Sequence, residues 1–226
     1  MRFFNFDVYL YAFLNSRRSE MNVVKALGLE DNGVSVTLLF VIAICSCLAM
    51  RYRAIFAFCL FHPYSIVRNK ESHRVITSCF VHVNWPHLGI NLFMLYAVGV
   101  NLEKYLVKAT SCGHMIFAAI IALTHISGTL LVTFIHYKDF EFSSVGASGS
   151  ILGSQFCYMV LQPHVVAFYL PLIGPVSNIF AGLLIIVLLL RQRYKSKQLF
   201  NHELHFYASV SGALIGIALK EIVLLT

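Results

Sequence analysis

From about residue 34 onward the chain consists of long apolar runs interrupted by short clusters of charge, proline and polar residues. Divided at those clusters, the pattern predicts six helices at about 35–50, 86–107, 113–136, 146–161, 165–190 and 202–225. Several of the runs reach the roughly 20 residues needed to cross a hydrocarbon core of about 30 Å. The stretch from Arg51 to Trp85 is too apolar for a solvated loop, with apolar segments at Ala54–Phe61 and Val75–Val83. It is expected to form short helices in or against the membrane surface. The other connections are short, except the basic stretch Arg191, Arg193, Lys195 and Lys197 before the last helix. Asn84 ahead of Trp85-Pro86 suits an N-cap for the second helix, Ser143 or Ser144 for the fourth, and Asn201 for the sixth.

Residues 1–33 mix apolar and charged positions (Arg17, Arg18, Glu20, Glu30, Asp31) without the basic start, apolar stretch and cleavage site of a signal peptide. They are expected to be a small appended segment, and 34–226 a single membrane domain. Composition agrees, with 58% hydrophobic and 12% charged residues and a mean hydropathy of +0.75. A soluble domain carries about a quarter charged residues. The fold class expected is therefore an all-α polytopic membrane protein.

The net charge of +7 is dispersed over loops, which suits membrane lipid with anionic headgroups and gives nucleic acid no basic face to bind. The six cysteines (Cys45, Cys47, Cys59, Cys79, Cys112, Cys157) follow neither a disulfide framework nor a zinc-site spacing, so they read as small core residues. No metal or other cofactor is expected.

The polar residues that an apolar chain should avoid are more informative. His82, His87 and Asn91 lie at the start of the second helix, Ser148 at the start of the fourth and His205 at the start of the sixth. In six consecutive spans the even-numbered helices run in one direction, so these residues share one membrane depth. Gly149 and Gly153 form a small-xxx-small pair, and Ala208, Gly212 and Gly216 repeat it in the last helix. Ser148 immediately precedes the first stripe, and His205 lies three residues before Ala208 on the face of the second. Stripe packed on stripe makes serine and imidazole face each other. A serine hydroxyl needs such a neighbouring base to become a nucleophile. An oxyanion would find donors in the Ser148 backbone N–H, the Asn91 amide and the His87 ring, the last two on one helix face.

Gly146-Ala147-Ser148-Gly149 resembles the GxSG motif of rhomboid proteases, and His82 to Asn91 resembles their HxxxxHxxxN element, in the same order and place. Glu71 and Arg74 in the first connection and Glu103 after the second helix are further matches, so the resemblance covers about residues 34 to 220. It implies a six-transmembrane-helix rhomboid-like bundle with a long, partly embedded first connection, acting as an intramembrane serine endopeptidase that cleaves transmembrane substrates by a Ser-His dyad. Ser148 carries over as nucleophile, His205 as base, and His87 with Asn91 as oxyanion partners; His82, Gly146 and Gly149 would support the site. The substrates implied are transmembrane proteins, and the location implied is a multi-pass position in a bacterial inner membrane. The related alternative is a catalytically inactive rhomboid-like protein that binds membrane clients.

The chain departs from the family pattern in two places. Where the last helix usually shows His-x-x-Gly-x-x-x-Gly, His205 is followed by Ala208 and Gly212; aligning on Gly212 and Gly216 instead would put Ser209 at the histidine position. His73 stands where tryptophan is common. The resemblance also implies a site opening away from the cytoplasm, whereas the positive charges of the first connection and of 191–197 imply the reverse orientation. Finally, His114, His125 and His136 recur every 11 residues along the third helix, about 16 Å apart at 1.5 Å per residue, too far to share one ion.

Overall fold

A computed structural model describes residues 29–170, 174–193 and 202–224. The expected appended segment thus falls outside the described residues over 1–28, and the first helix, α1 (Leu29–Arg51), begins before residue 34. Its regular part starts after a kink at Asn32 (φ −142°, ψ 26°). There the carboxylate of Glu103 accepts from Val34 N (2.9 Å), Ser35 N (2.7 Å) and Ser35 Oγ (2.5 Å). A helix start leaves backbone donors without partners, and this buried carboxylate supplies the missing acceptors from a neighbouring helix. His114 Nδ1 lies 2.7 Å from the same carboxylate, closing a polar knot between three helices.

The first connection folds as expected into short helices: α2 (Arg53–Cys59), α3 (Pro63–Arg68), α4 (Arg74–Thr77) and a 3-10 turn, Ser78–Phe80. The second long helical segment runs as α5 (Trp85–Met94), a π-helical turn (Leu95–Gly99) and α6 (Val100–Ala109). Asn84 caps α5, its side chain accepting from His87 N at 2.9 Å. Helix α7 (Gly113–His136) matches the sequence expectation, followed by α8 (Ser148–Leu161).

Two expectations need correction. Helix α8 starts at Ser148 and not at 146, because Gly146 has φ +120° and Ala147 occupies the cap position. Neither Ser143 nor Ser144 caps it; the Ser144 backbone instead exchanges two hydrogen bonds with Phe61, each 3.0 Å. The fifth helix does not start at 165, and the described chain is therefore not purely α-helical. Val166–Leu170 (β1) and Gly174–Ser177 (β2) pair antiparallel, and helix α9 (Asn178–Arg193) follows. The β-branched and aromatic residues of 165–169 favour strand, while Pro171 and Pro175 interrupt any helix in this stretch. The last helix, α10 (His202–Leu224), fits the expectation; Asn201, its expected cap, lies outside the described residues.

Helix α8 is the centre of the molecule, packed between α7 and α10. One apolar cluster joins Leu102, Leu106, Phe117, Ile120, Cys157 and Tyr158. A second joins Ile42, Leu88, Leu95, Ala147 and Ile151, and a third joins Phe61, Val132 and Leu204 beneath the first connection. Among the described residues, Asn32–Arg51 and Gly113–His136 are long and apolar enough to cross a membrane, and Asn178–Leu189 is a shorter apolar helix. Large apolar side chains such as Phe40, Ile90, Phe93, Phe134, Phe180 and Leu214 face outward.

Candidate active site

The small-residue stripes predicted from sequence are in contact. A Cβ added to Gly212 would fall on the Gly153 backbone, one on Gly149 would strike the Leu204 side chain, and one on Gly216 would come within 2.9 Å of Cys157 O. With no side chain between them, the α8 and α10 backbones approach until only Ala208 and the glycines separate them. Gly153 also faces Thr124, so α7 joins the same seam.

That approach brings Ser148, the first residue of α8, opposite His205 in the first turn of α10. Ser148 Oγ lies 2.6 Å from His205 Nε2, a hydrogen-bond distance at the short end for these atoms. His205 is buried, and Ser148 is half-buried, open on one side. Ser209, at the histidine position of the rival register, donates its hydroxyl to His205 O (2.7 Å) and does not face Ser148.

The turn before Ser148 is held from below. Gly146 N donates to Ser78 O (2.9 Å), and Ala147 N donates to His82 Nε2 (3.4 Å). With Nε2 accepting, the His82 proton sits on Nδ1 and is donated to Ser46 Oγ (2.9 Å), which in turn donates to Phe80 O (3.0 Å). His82 lies in the connection, outside the spanning helices. Burial, helped by the neighbouring His87, pushes its pKa down to about 4, which matches the neutral tautomer this chain of bonds requires.

Glycine is required at 146 twice over. Its φ is positive, and an added Cβ would meet the His87 ring at 3.0–3.1 Å. His87 therefore lies against the turn that precedes Ser148, with its ring edge-to-face on His82 at 4.9 Å. Asn91 is buried one turn further on, donates one N–H to His87 O (2.9 Å) and has its side chain within hydrogen-bonding reach of His82. The structure thus gathers His82, His87, Gly146, Ser148 and His205 in one place, with Asn91 behind His87.

The histidines of α7 have separate partners. His114 meets Glu103, His125 Nε2 lies 3.4 Å from Ser78 Oγ, and His136 Nε2 lies 2.6 Å from Glu203 Oε2. His136 also stacks on Phe142 with centroids 4.0 Å apart. Among the described residues no group of three or more metal-binding side chains stands together. Sequence reasoning missed Ser46 and Ser78, which carry no motif of their own, and the His136–Glu203 pair, which fixes the turn containing His205. A histidine at one helix end and a glutamate at the start of another were the available signal for that pair.

Comparison with known proteins bears on the same residues. Residues 69–225 match the family profile described as Rhomboid domain, a stretch that contains both glycine motifs and His82, His87, Asn91, Gly146, Ser148 and His205, though not Ser46. A curated relative, Rhomboid-like protein 14, mitochondrial, from Arabidopsis thaliana, is 38% identical over 61 residues. That match covers 27% of this chain and 16% of the relative, so the two share only a part of the relative's length. With the profile spanning more than half of the sequence, including the α8–α10 seam, the chain belongs to the rhomboid family of membrane proteins.

Proposed function

We propose that the chain is an intramembrane serine endopeptidase that cleaves transmembrane protein substrates with a Ser148–His205 dyad. The observation that carries this reading is the 2.6 Å approach of Ser148 Oγ to His205 Nε2 across a seam built for close contact. In the mechanism, Ser148 Oγ attacks the scissile carbonyl while its proton passes to His205 Nε2. His205 returns that proton to the leaving amine, and a water, deprotonated by His205, then hydrolyses the acyl-enzyme. The oxyanion is stabilised by the Ser148 N–H together with donors from His87 and Asn91. No cofactor or metal takes part.

The six long helical segments are read as six spans, with the hairpin and first connection supported at membrane depth by protein. Non-helical backbone survives there only beside protein or water. On this topology the site opens away from the cytoplasmic side, against the charge count of the connections. The bacterial inner membrane rests on the family resemblance alone, and the named relative is mitochondrial.

The test is labelling of the purified wild-type chain with a fluorophosphonate probe, beside Ser148→Ala and His205→Ala. Wild type should label, and each substitution should reduce labelling at least about a thousandfold. A wild-type chain that stays unlabelled, in a detergent where an active rhomboid labels, would replace this reading with the client-binding one.

A further inference from the structure

Two arms of chain lead into the dyad. One is the loop from the end of α7 to Ala147, which delivers Ser148; the other is the first turn of α10, which delivers His205. Among the described residues no carboxylate pairs with the His205 ring, so no acid of its own orients the base. Its orientation depends on how firmly the start of α10 is held.

His136, the last residue of α7, touches both arms. Its ring stacks on Phe142 of the loop, with centroids 4.0 Å apart and planes 21° from parallel. Its Nε2 lies 2.6 Å from Glu203 Oε2 in the first turn of α10. Its Nδ1 lies 3.6 Å from Asp139 Oδ2, in the turn that leaves α7. That carboxylate is itself held, because Asp139 Oδ1 accepts from Glu141 N at 3.0 Å. An N–H donated to a carboxylate makes a short, directional bond, so the ring ties the loop on its face to α10 at its edge.

With the Glu203 side chain 48% exposed and that of His136 20% exposed, solvent screens the pair, and it adds little to global stability. Its geometry matters more. Leu204, the neighbour of Glu203, is buried in the cluster with Phe61 and Val132 and meets Gly149 across the seam. The first turn of α10 is thus held on its buried side by Leu204 and on its open side by Glu203.

We propose that His136 is a positioning residue for the dyad: bonded to Glu203 and stacked on Phe142, it locks the start of α10 to the loop that carries Ser148. It thereby keeps His205 Nε2 at hydrogen-bonding distance from Ser148 Oγ. The inference rests on the peptidase reading and deepens it. His136 acts through His205 and takes no part in proton transfer. A misplacement of about 1 Å between reacting groups can cost about a hundredfold in rate, so loosening this lock slows the reaction without weakening binding.

The experiment is the inactivation kinetics of the full chain in detergent with a fluorophosphonate, for wild type, His136→Phe, Glu203→Met and the double variant. The phenylalanine keeps a ring on Phe142 and removes both nitrogens, and the methionine keeps the stem of Glu203 and removes both oxygens. Each single variant should lower the maximal inactivation rate constant about tenfold, with the half-saturating probe concentration unchanged within about twofold. The double variant should be no slower than the singles, because all three lose one interaction. Rates are taken per folded molecule, with folding read by gel filtration and circular dichroism, so a merely structural role would leave them at the wild-type value. Folded variants that react as fast as wild type overturn the inference and leave the dyad standing, and so do additive losses in the double variant. A change confined to the half-saturating concentration also overturns it, since that would place the pair in probe binding. Wild type that does not react removes the dyad reading and this inference together. If His136→Phe does not fold, Glu203→Met carries the same comparison of rate against binding.

Discussion

The α8–α10 seam and the first connection lie side by side at the site, yet they are held by opposite means. In the seam, two helices satisfy their own backbones, and what fixes them is the absence of side chains: glycine against backbone at 153, 212 and 216, and against the Leu204 side chain at 149. In the connection the backbone is broken into short turns, and side chains supply its missing partners. Arg74 is bonded to Glu71 and donates to Ala57 O (2.6 Å) and Leu60 O (2.7 Å), and His73 Nε2 lies 3.1 Å from Phe58 O. The contrast follows from one constraint. Away from water every backbone polar group needs a partner, and a continuous helix supplies its own whereas a turn must borrow. The seam should therefore fail when volume is added, and the connection when donors are removed.

The largest effect is expected from Gly212→Val. Its Cβ would fall on the Gly153 backbone, which has no rotamer with which to move away. Overpacking a tight contact costs about 3 kcal/mol, and here it also pushes His205 away from Ser148. Thermal unfolding in detergent should show a large drop in midpoint, with serine labelling lost. A variant that keeps both would mean that the seam is not close-packed.

A smaller effect is expected from Arg74→Met, which keeps the apolar stem and removes the donors. Hydrogen bonds from a charged group contribute about 1.5–3 kcal/mol each where buried, and partial exposure of this arginine reduces that to about 2 kcal/mol in total. The loss should concentrate in the connection, so limited proteolysis between residues 52 and 70 should accelerate. Labelling of Ser148 in the folded fraction should change little. If labelling fell as steeply as in Gly212→Val, the connection would be part of the α8–α10 seam and not a separate unit.

The same contrast explains what could be read from the sequence. The seam was legible because its rule is local and periodic: small residues every fourth position on two helices, with Ser148 and His205 at their starts. The third helix was legible to the residue for a similar reason. The hairpin at 166–177 was not, because a run of apolar, β-branched residues looks the same whether it forms a buried helix or a strand, and only the prolines hinted otherwise. The start of α8 was misplaced by two residues because GASG contains a turn, fixed by contacts to Ser78, His82 and His87 from another part of the chain. Those contacts are long-range, and no single segment encodes them. The roles of Ser46 and of the His136–Glu203 pair are of this kind too.

His82 belongs to both regions, since it is anchored in the connection and accepts from the turn that starts α8. Its expected effect is the smallest and separates the two by pH. Its pKa is pushed down to about 4 from 6.5, because burial and His87 oppose the charged ring. Above pH 6.5 the ring is neutral whether the chain is folded or unfolded, and it adds no pH dependence. As pH falls from 6.5 toward about 4, the unfolded chain takes up a proton here that the folded chain refuses, so stability declines through that window. His82→Gln removes this contribution and retains polar groups beside Ser46 and Ala147 N. Wild type should lose more unfolding midpoint than His82→Gln between pH 7 and pH 5, while at pH 7 the two differ by only about 1 kcal/mol. Equal acid sensitivity in the two proteins would show that His82 is not the neutral link joining connection to seam.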